Sequence, residues 1–74
     1  MKYKIDDKEV LVVVCPDPDV ENGDRWFGLI LEDSPGENTR VTYFTACKDI
    51  KKCIRLCEKN FKKLYPTLEW KVIV

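Results

Sequence analysis

TACKDIKKCIRLCEKNFKKLYP, residues 45–66, predicts one amphipathic helix around which the rest of the chain is arranged. Its apolar residues recur at intervals of three and four, so they line one side of a helix; they are Ala46, Ile50, Cys53, Ile54, Cys57, Phe61 and Leu64. Thr45 is expected to cap the start. Pro66 is expected to end the helix, because proline disfavours α conformation in the residue before it.

The opposite side of the predicted helix is basic, with seven cations at Lys48, Lys51, Lys52, Arg55, Lys59, Lys62 and Lys63. Such a surface can neutralise several phosphates and bind nucleic acid with salt-sensitive affinity. Lysine dominates over arginine, however, and arginine is the better reader of bases. Three interpretations therefore stay open: a solubilising surface, a contact for an acidic protein partner, and a nucleic-acid-binding surface.

Four segments before the helix are predicted as strands because they are rich in β-branched and aromatic residues and are separated by polar turns; they are residues 2–5, 9–15, 25–33 and 40–44. The first two are expected to form a hairpin, and one interrupted strand is the alternative. Turns are expected at Asn22-Gly23 and at residues 34–39, and Pro16 should end the second strand because it lacks an N–H. Residues 69–74 are expected to close the chain as a last strand.

The resulting order is β-β-β-β-α-β. It predicts a single small α+β domain over residues 1–74, in which an antiparallel-dominated sheet of four to five strands packs one face on the helix. The expected core comprises Val12, Val14, Phe27, Leu29, Leu31, Val41, Tyr43, Ile50, Cys53, Ile54, Cys57, Phe61, Leu64, Trp70 and Val72. A register slip of one residue would exchange the two faces of a strand.

Two of the predicted strands are apolar on both faces, namely residues 10–15 and the segment from Trp26 to Leu31. Such strands usually have both sides covered, and one helix covers only one side. The far side is therefore expected to meet another protein through Trp26, Ile30, Leu11 and Val13. A homodimer packed sheet to sheet is the simplest cover; a different protein partner and cover by loops are the alternatives.

Candidate metal sites in the sequence are weak. Cys53 and Cys57 are four residues apart, a spacing at which two thiolates could share zinc, but a structural site needs two more ligands and the chain contains no histidine. All the helix cysteines fall on or beside the apolar side, where cysteine packs as a small hydrophobe. The acidic residues 17–24 resemble the start of an EF-hand loop, but Asn22 and Gly28 stand where glycine and glutamate are needed. No metal or cofactor is expected.

Catalysis has little support in the sequence. Without histidine the chain has no ready general base near neutral pH, and its three glycines form no phosphate-binding motif. The charges are unevenly divided, with four cations and ten anions in residues 1–37 and nine cations and three anions in residues 38–74. The longest apolar run is far shorter than the roughly 20 residues of a spanning helix, so a cytoplasmic protein with reduced cysteines is expected.

These patterns favour a small non-enzymatic protein-binding module, such as an inhibitor, adaptor or regulatory subunit, that occupies the surface of a partner. Neither a membrane nor a small-molecule substrate is expected. The alternative is a nucleic-acid-binding protein that uses the basic face of the 46–64 helix.

Overall fold

A computed structural model describes residues 1–19 and 25–71 of the chain. Within these residues one antiparallel sheet contains four strands in chain order, and a helix packs on one of its faces. The elements are β1 (Lys2–Ile5), β2 (Lys8–Pro16), β3 (Trp26–Asp33), β4 (Arg40–Cys47) and α1 (Ile50–Leu64). The predicted α+β fold is confirmed. No helix in this part of the chain is long and apolar enough to cross a membrane.

The predicted last strand is not found among the described residues. Glu69–Lys71 follow α1 without joining the sheet, and residues 72–74, including the predicted core residue Val72, lie outside the described part. Residues 69–71 pack instead beside the core. The Lys71 N–H donates to the Tyr3 hydroxyl at 3.0 Å, and the Trp70 ring lies 5.3 Å from the Phe61 ring between centroids.

Tight turns connect β1 to β2 and β3 to β4. β1 and β2 form the predicted hairpin, and Asp6 in its turn has a φ of 54°, a left-handed conformation that aspartate tolerates better than most residues. The predicted turn between β3 and β4 is also present, with the Glu37 N–H donating to the Ser34 carbonyl at 3.1 Å and Gly36 at a φ of 77°. The predicted Asn22-Gly23 turn lies outside the described residues.

The register of the strands shows which side chains face α1. Residues directly opposite each other in antiparallel strands share a face, and Tyr3 is opposite Val10 while Val12 is opposite Ile30. All four are buried and join Cys57, Phe61 and Tyr65 in one core cluster. Val12, Cys53, Ile54, Cys57 and Phe61 were expected in the core, whereas Tyr3, Val10, Ile30 and Tyr65 were not.

The predicted assignment of faces is wrong by one residue in β3. Ile30 is fully buried against the helix, so it cannot belong to an exposed interface, and Trp26 shares its side of the strand. Phe27, Leu29 and Leu31 point the other way. The physical reason is Gly28, which lies on the helix side: a Cβ there would be 2.5 Å from Cys57 Sγ and 2.8 Å from Cys53 Sγ.

The helix begins later than expected. Thr45 does not cap it, because β4 continues to Cys47 and Thr45 pairs with Gly28 in the ladder. The cap is Asp49, whose carboxylate accepts from the Lys51 N–H at 2.9 Å. The end of α1 is as predicted: Leu64 is its last residue, immediately before Tyr65 and Pro66.

Three expected core residues are substantially exposed. Ile50 and Leu64 lie at the two ends of α1 and are 36% and 45% exposed, and only the four residues Cys53, Ile54, Cys57 and Phe61 of the helix are buried. Val41 is 54% exposed, because it lies opposite Leu31 on the side of the sheet that faces away from α1.

Candidate functional site

The side of the sheet that faces away from α1 is apolar over three successive rows of side chains. Each row crosses β2, β3 and β4 at residues that the register sets opposite one another. We call these nine residues the open face: Leu11, Leu31 and Val41 in the first row, Val13, Leu29 and Phe44 in the middle row, and Cys15, Phe27 and Ala46 in the last.

Every residue of the open face retains exposed surface. Phe44 is 52% exposed, and its ring lies 5.2 Å from the Phe27 ring between centroids. Leu11 and Val13 occupy the face that the sequence predicted for them, whereas Trp26 and Ile30 do not. In β3 the residues on the open face are instead Phe27, Leu29 and Leu31. In β4 the sequence pattern did not identify Phe44 as an exposed residue.

The open face has opposite charges at its two ends. The next row beyond Leu11, Leu31 and Val41 is charged, with Glu9 between Lys4 and Asp33. A shallow cavity of about 500 Å³ lies beside this row, and Asp7 and Glu37 also line it. This end we call the anionic end. Asp33 accepts from the Thr39 hydroxyl at 3.4 Å and forms no ion pair with another described residue.

The other end of the open face carries two exposed cations, Arg25 next to β3 and Lys48 next to β4. We call it the cationic end. Arg25 lies 3.9 Å from the buried carboxylate of Asp17, which also accepts from the Asp19 N–H at 2.9 Å. Lys48 has no ion-pair partner in the described part of the chain. Glu21 and Asp24 of the predicted acidic loop lie outside it.

The face toward α1 contains one well-connected carboxylate, Glu32. It accepts from the Tyr65 hydroxyl at 2.9 Å, and the cations of Lys8 and Arg40 lie 3.4 and 3.6 Å away. The hydrogen bond from Tyr65 lowers the pKa of Glu32, burial opposes that change, and Lys8 and Arg40 add to the lowering. Burial raises the pKa of Tyr65. The network therefore ties the end of α1 to the sheet.

The helix cysteines are core residues. Burial and then the neighbouring Cys53 raise the pKa of Cys57 to about 12, and burial followed by Cys47 raises the pKa of Cys53. Both thiols therefore remain protonated near neutral pH, and a thiol is a far poorer nucleophile or metal ligand than a thiolate. No group of three metal-ligating side chains in residues 1–19 and 25–71 is placed to hold an ion.

The outward side of α1 presents six of the seven predicted cations to solvent, at Lys51, Lys52, Arg55, Lys59, Lys62 and Lys63. The seventh, Lys48, precedes the Asp49 cap and therefore lies outside the helix. Lys62 pairs with Glu58 at 3.4 Å, and the other five helix cations have no ion-pair partner among the described residues. The first turn of the helix holds no acidic residue. Lys51 and Lys52 thus lie at the positive end of the helix dipole, where cations are unfavourable.

No protein-family model matches the chain, and neither a search of curated proteins nor a search of solved structures found a match. The function has to be inferred from the charges, exposure and packing of the residues themselves.

Proposed function

We propose that this chain is a non-enzymatic protein-binding module, an inhibitor, adaptor or regulatory subunit, that works by placing its open face against a protein surface. The observation that carries this proposal is the continuous apolar surface formed by three rows of side chains opposite the helix. Two kinds of occupant fit such a surface, a second copy of the chain and a different protein.

The size of the open face supports a role in association. Strands about 4.8 Å apart and rows about 7 Å apart give the nine residues an area of roughly 300 Å². That area is as large as the largest apolar patch on many monomers, and such patches often mark interaction sites. At about 25 cal/mol per Å², covering it contributes about 7 kcal/mol before the cost of association is subtracted.

The residues that carry reactive groups support a non-enzymatic role. The chain contains no histidine. The buried thiols of Cys53 and Cys57 are held protonated, and Glu32 is engaged by Tyr65, Lys8 and Arg40 rather than directed into a cavity. The cavity at the anionic end lies on the surface, and charged side chains and a turn line it.

Site-specific photocrosslinking tests this proposal. A benzoyl-phenylalanine at position 44 reports contacts of the open face, and the same residue at position 59 is the control on the exposed side of α1. In cells that make the chain, illumination should link position 44 to another polypeptide, either a second copy or a different protein. Absence of any crosslinked polypeptide at position 44, with the labelled chain folded, would refute the proposal.

A second candidate function, nucleic-acid binding through α1, is supported by the placement of its cations. Lys51 and Lys52 lie in the first turn, which contains no acidic residue beyond the Asp49 cap, so they weaken the helix electrostatically, and a phosphate bound there would reduce that cost. Contacts to phosphate predict an affinity that falls steeply with salt.

Fluorescence anisotropy with labelled single- and double-stranded nucleic acids at about 50 and 200 mM salt tests the second candidate. The variant Lys52→Glu/Arg55→Glu/Lys59→Glu should lose binding. The control Lys2→Glu/Lys4→Glu/Lys71→Glu changes the net charge equally and leaves α1 intact, so it should retain most of the affinity. Equal loss in both variants, or no saturable binding by the parent, would exclude the helix as a nucleic-acid site.

A further inference from the structure

We propose that the occupant of the open face is a second copy of this chain, packed sheet to sheet about a twofold axis that runs across the strands over Leu29 and Phe44. This inference rests on the proposed function and names the partner of the same surface. It follows from the arrangement of charges around the middle row of the open face.

The charges along β3 are symmetric about Leu29. Asp33 is four residues after Leu29, and Arg25 is four residues before it, immediately ahead of β3. The Asp17 N–H donates to the Arg25 carbonyl at 2.9 Å and so continues the pairing of β2 with β3, which places all three residues on the side away from α1. The Arg25 side chain is 54% exposed and lies 3.9 Å from Asp17 of its own protomer. A twofold axis across the strands reverses the direction of β3 in the second copy. It therefore places Asp33 of each protomer over Arg25 of its partner, so the interface contains two such pairs.

β4 adds a second cation, Lys48, to the same arrangement. The axis brings Phe44 of one protomer against Phe44 of its partner, and it carries Lys48, four residues further on, toward the partner's anionic end. Thr42 is the extra residue of a bulge in β4, so Val41 lies opposite Leu31 and the Thr39 hydroxyl comes within 3.4 Å of Asp33. Lys48 thus arrives over the Thr39 and Asp33 pair of the partner.

The angle between packed sheets decides which cation of the partner lies nearest to Asp33. Two twisted sheets pack with their strands about 30° apart. Four residues from the axis, a distance of about 13 Å, this angle displaces one strand from the other by about 7 Å, which is larger than the strand spacing of about 4.8 Å. If the partner's β4 is displaced toward β3, its Lys48 lies nearest to Asp33, whereas strands that cross at a smaller angle keep its Arg25 nearest.

A twofold axis along the strands fits less well. It would place the two anionic ends together, so that Asp33, which has no ion pair among the described residues, would lie near a carboxylate of its partner's anionic end, while Glu9 is paired with Lys2 at 3.4 Å. Like charges across an interface are repulsive and disfavour that arrangement.

Sedimentation equilibrium between about 1 and 100 μM tests the dimer, using the complete chain. The parent should reach twice its mass of 8.7 kDa. Phe44→Glu should reduce it to the mass of one chain, because two carboxylates would be buried together at the axis. Leu64→Glu, which introduces the same group at a site 45% exposed on the helix, should remain a dimer.

Charge exchange tests the orientation of the axis. Asp33→Lys and Lys48→Glu should each raise the dimer dissociation constant about tenfold at low salt, since two attractive contacts become repulsive. Mixing the two variants should recover part of the lost affinity as a heterodimer, because the reversed charges at positions 33 and 48 then face each other, whereas the reversed charge at position 33 still faces Arg25. A mixture of Asp33→Lys with Lys59→Glu, whose reversed charge lies on the exposed side of α1, should not be restored.

Several outcomes would overturn the inference. A parent that remains at the mass of one chain at 100 μM has no such dimer, and a dimer that survives Phe44→Glu lies on another surface. Failure of the mixed variants to recover affinity would refute the axis. Crosslinks from position 44 to a different protein, with a monomeric parent, would leave the proposed function intact, whereas a monomeric parent without crosslinks would refute both.

Discussion

The two faces of this sheet are similar in apolar character, but only one is covered by the described residues. On the inner face Val10, Val12 and Ile30 are no more than 4% exposed, whereas on the open face Val41 and Phe44 remain about half exposed. Hydrophobic content alone therefore does not determine which side of the sheet receives the helix. The difference lies in shape and in hydrogen bonding.

The inner face has the features that a close-packed helix requires. Gly28 leaves a gap into which Cys53 and Cys57 fit, and Glu32 accepts a hydrogen bond from Tyr65 at the other end of the helix. The open face has a phenylalanine pair and no buried hydrogen bond across its rows. One face thus fits a particular helix, and the other is an apolar surface suited to a larger, flatter contact.

The largest expected difference between the faces is in the cost of removing a phenylalanine. Phe61 is fully buried, with its ring 4.8 Å from the Tyr3 ring between centroids. Phe61→Ala should lower the free energy of unfolding by about 3–5 kcal/mol. Phe44→Ala, measured by urea denaturation at a concentration where the chain is monomeric, should lower it by less than about 1 kcal/mol. Similar costs at both positions would contradict the contrast between a covered and an open face.

A smaller effect is expected from adding one methyl group to the inner face. Gly28→Ala forces the new Cβ against both helix sulfurs and should cost about 1–3 kcal/mol. In a Cys57→Ala background the same change should cost less, because one of the two clashing sulfurs is gone. Gly36→Ala is the control: its φ of 77° is strained for alanine, but no atom lies within 4 Å, so the Cys57→Ala background should not alter its cost. Denaturation of the three single and two double variants measures the coupling.

The smallest effect concerns the adjacent carboxylates Glu32 and Asp33, which point to opposite faces. Glu32→Gln should lower stability at pH 7 by about 1 kcal/mol through the weakened bond from Tyr65. Because the pKa of Glu32 is lowered in the folded chain, its contribution is present above the usual value of 4.5 and is lost as the pH falls through the folded value. Unfolding measured from pH 7 to pH 3 should therefore show a shallower acid loss in the variant.

Asp33→Asn is the matched control for this pH experiment, since it removes the neighbouring carboxylate without touching Tyr65. Its stability at pH 7 should stay within about 0.5 kcal/mol of the parent. The expected result is wrong if Asp33→Asn removes the loss of stability in acid and Glu32→Gln leaves that loss unchanged. The bond between Glu32 and Tyr65 would then not be its source.

The elements of the fold were readable from the sequence because each has a clear local signal. Alternating β-branched residues located the strands, and the spacing from Ile50 to Phe61 located the helix. The start of the helix was not readable in this way. Thr45 and Asp49 are both good caps, and the choice between them depends on the ladder bonds that Thr45 gains opposite Gly28, a contact distant in sequence.

Only part of the candidate site could be predicted from the sequence. Leu11 and Val13 were placed correctly, but in β3 both alternating sets are apolar, so hydrophobicity could not assign Ile30 to the core and Leu29 to the open face. That assignment depends on how closely the helix approaches Gly28. The symmetry of Arg25 and Asp33 about Leu29 is visible in the sequence, but it acquires meaning only once the register is known.

The close approach at Gly28 also has an evolutionary consequence. The sulfurs of Cys53 and Cys57 occupy the volume that a side chain at position 28 would need, so a larger residue at position 28 requires a smaller one at position 53 or 57. In natural relatives of this chain, alanine or serine at position 28 should appear together with a smaller residue at 53 or 57. The three positions should therefore vary together rather than independently, although 25 or more residues separate the glycine from the helix positions.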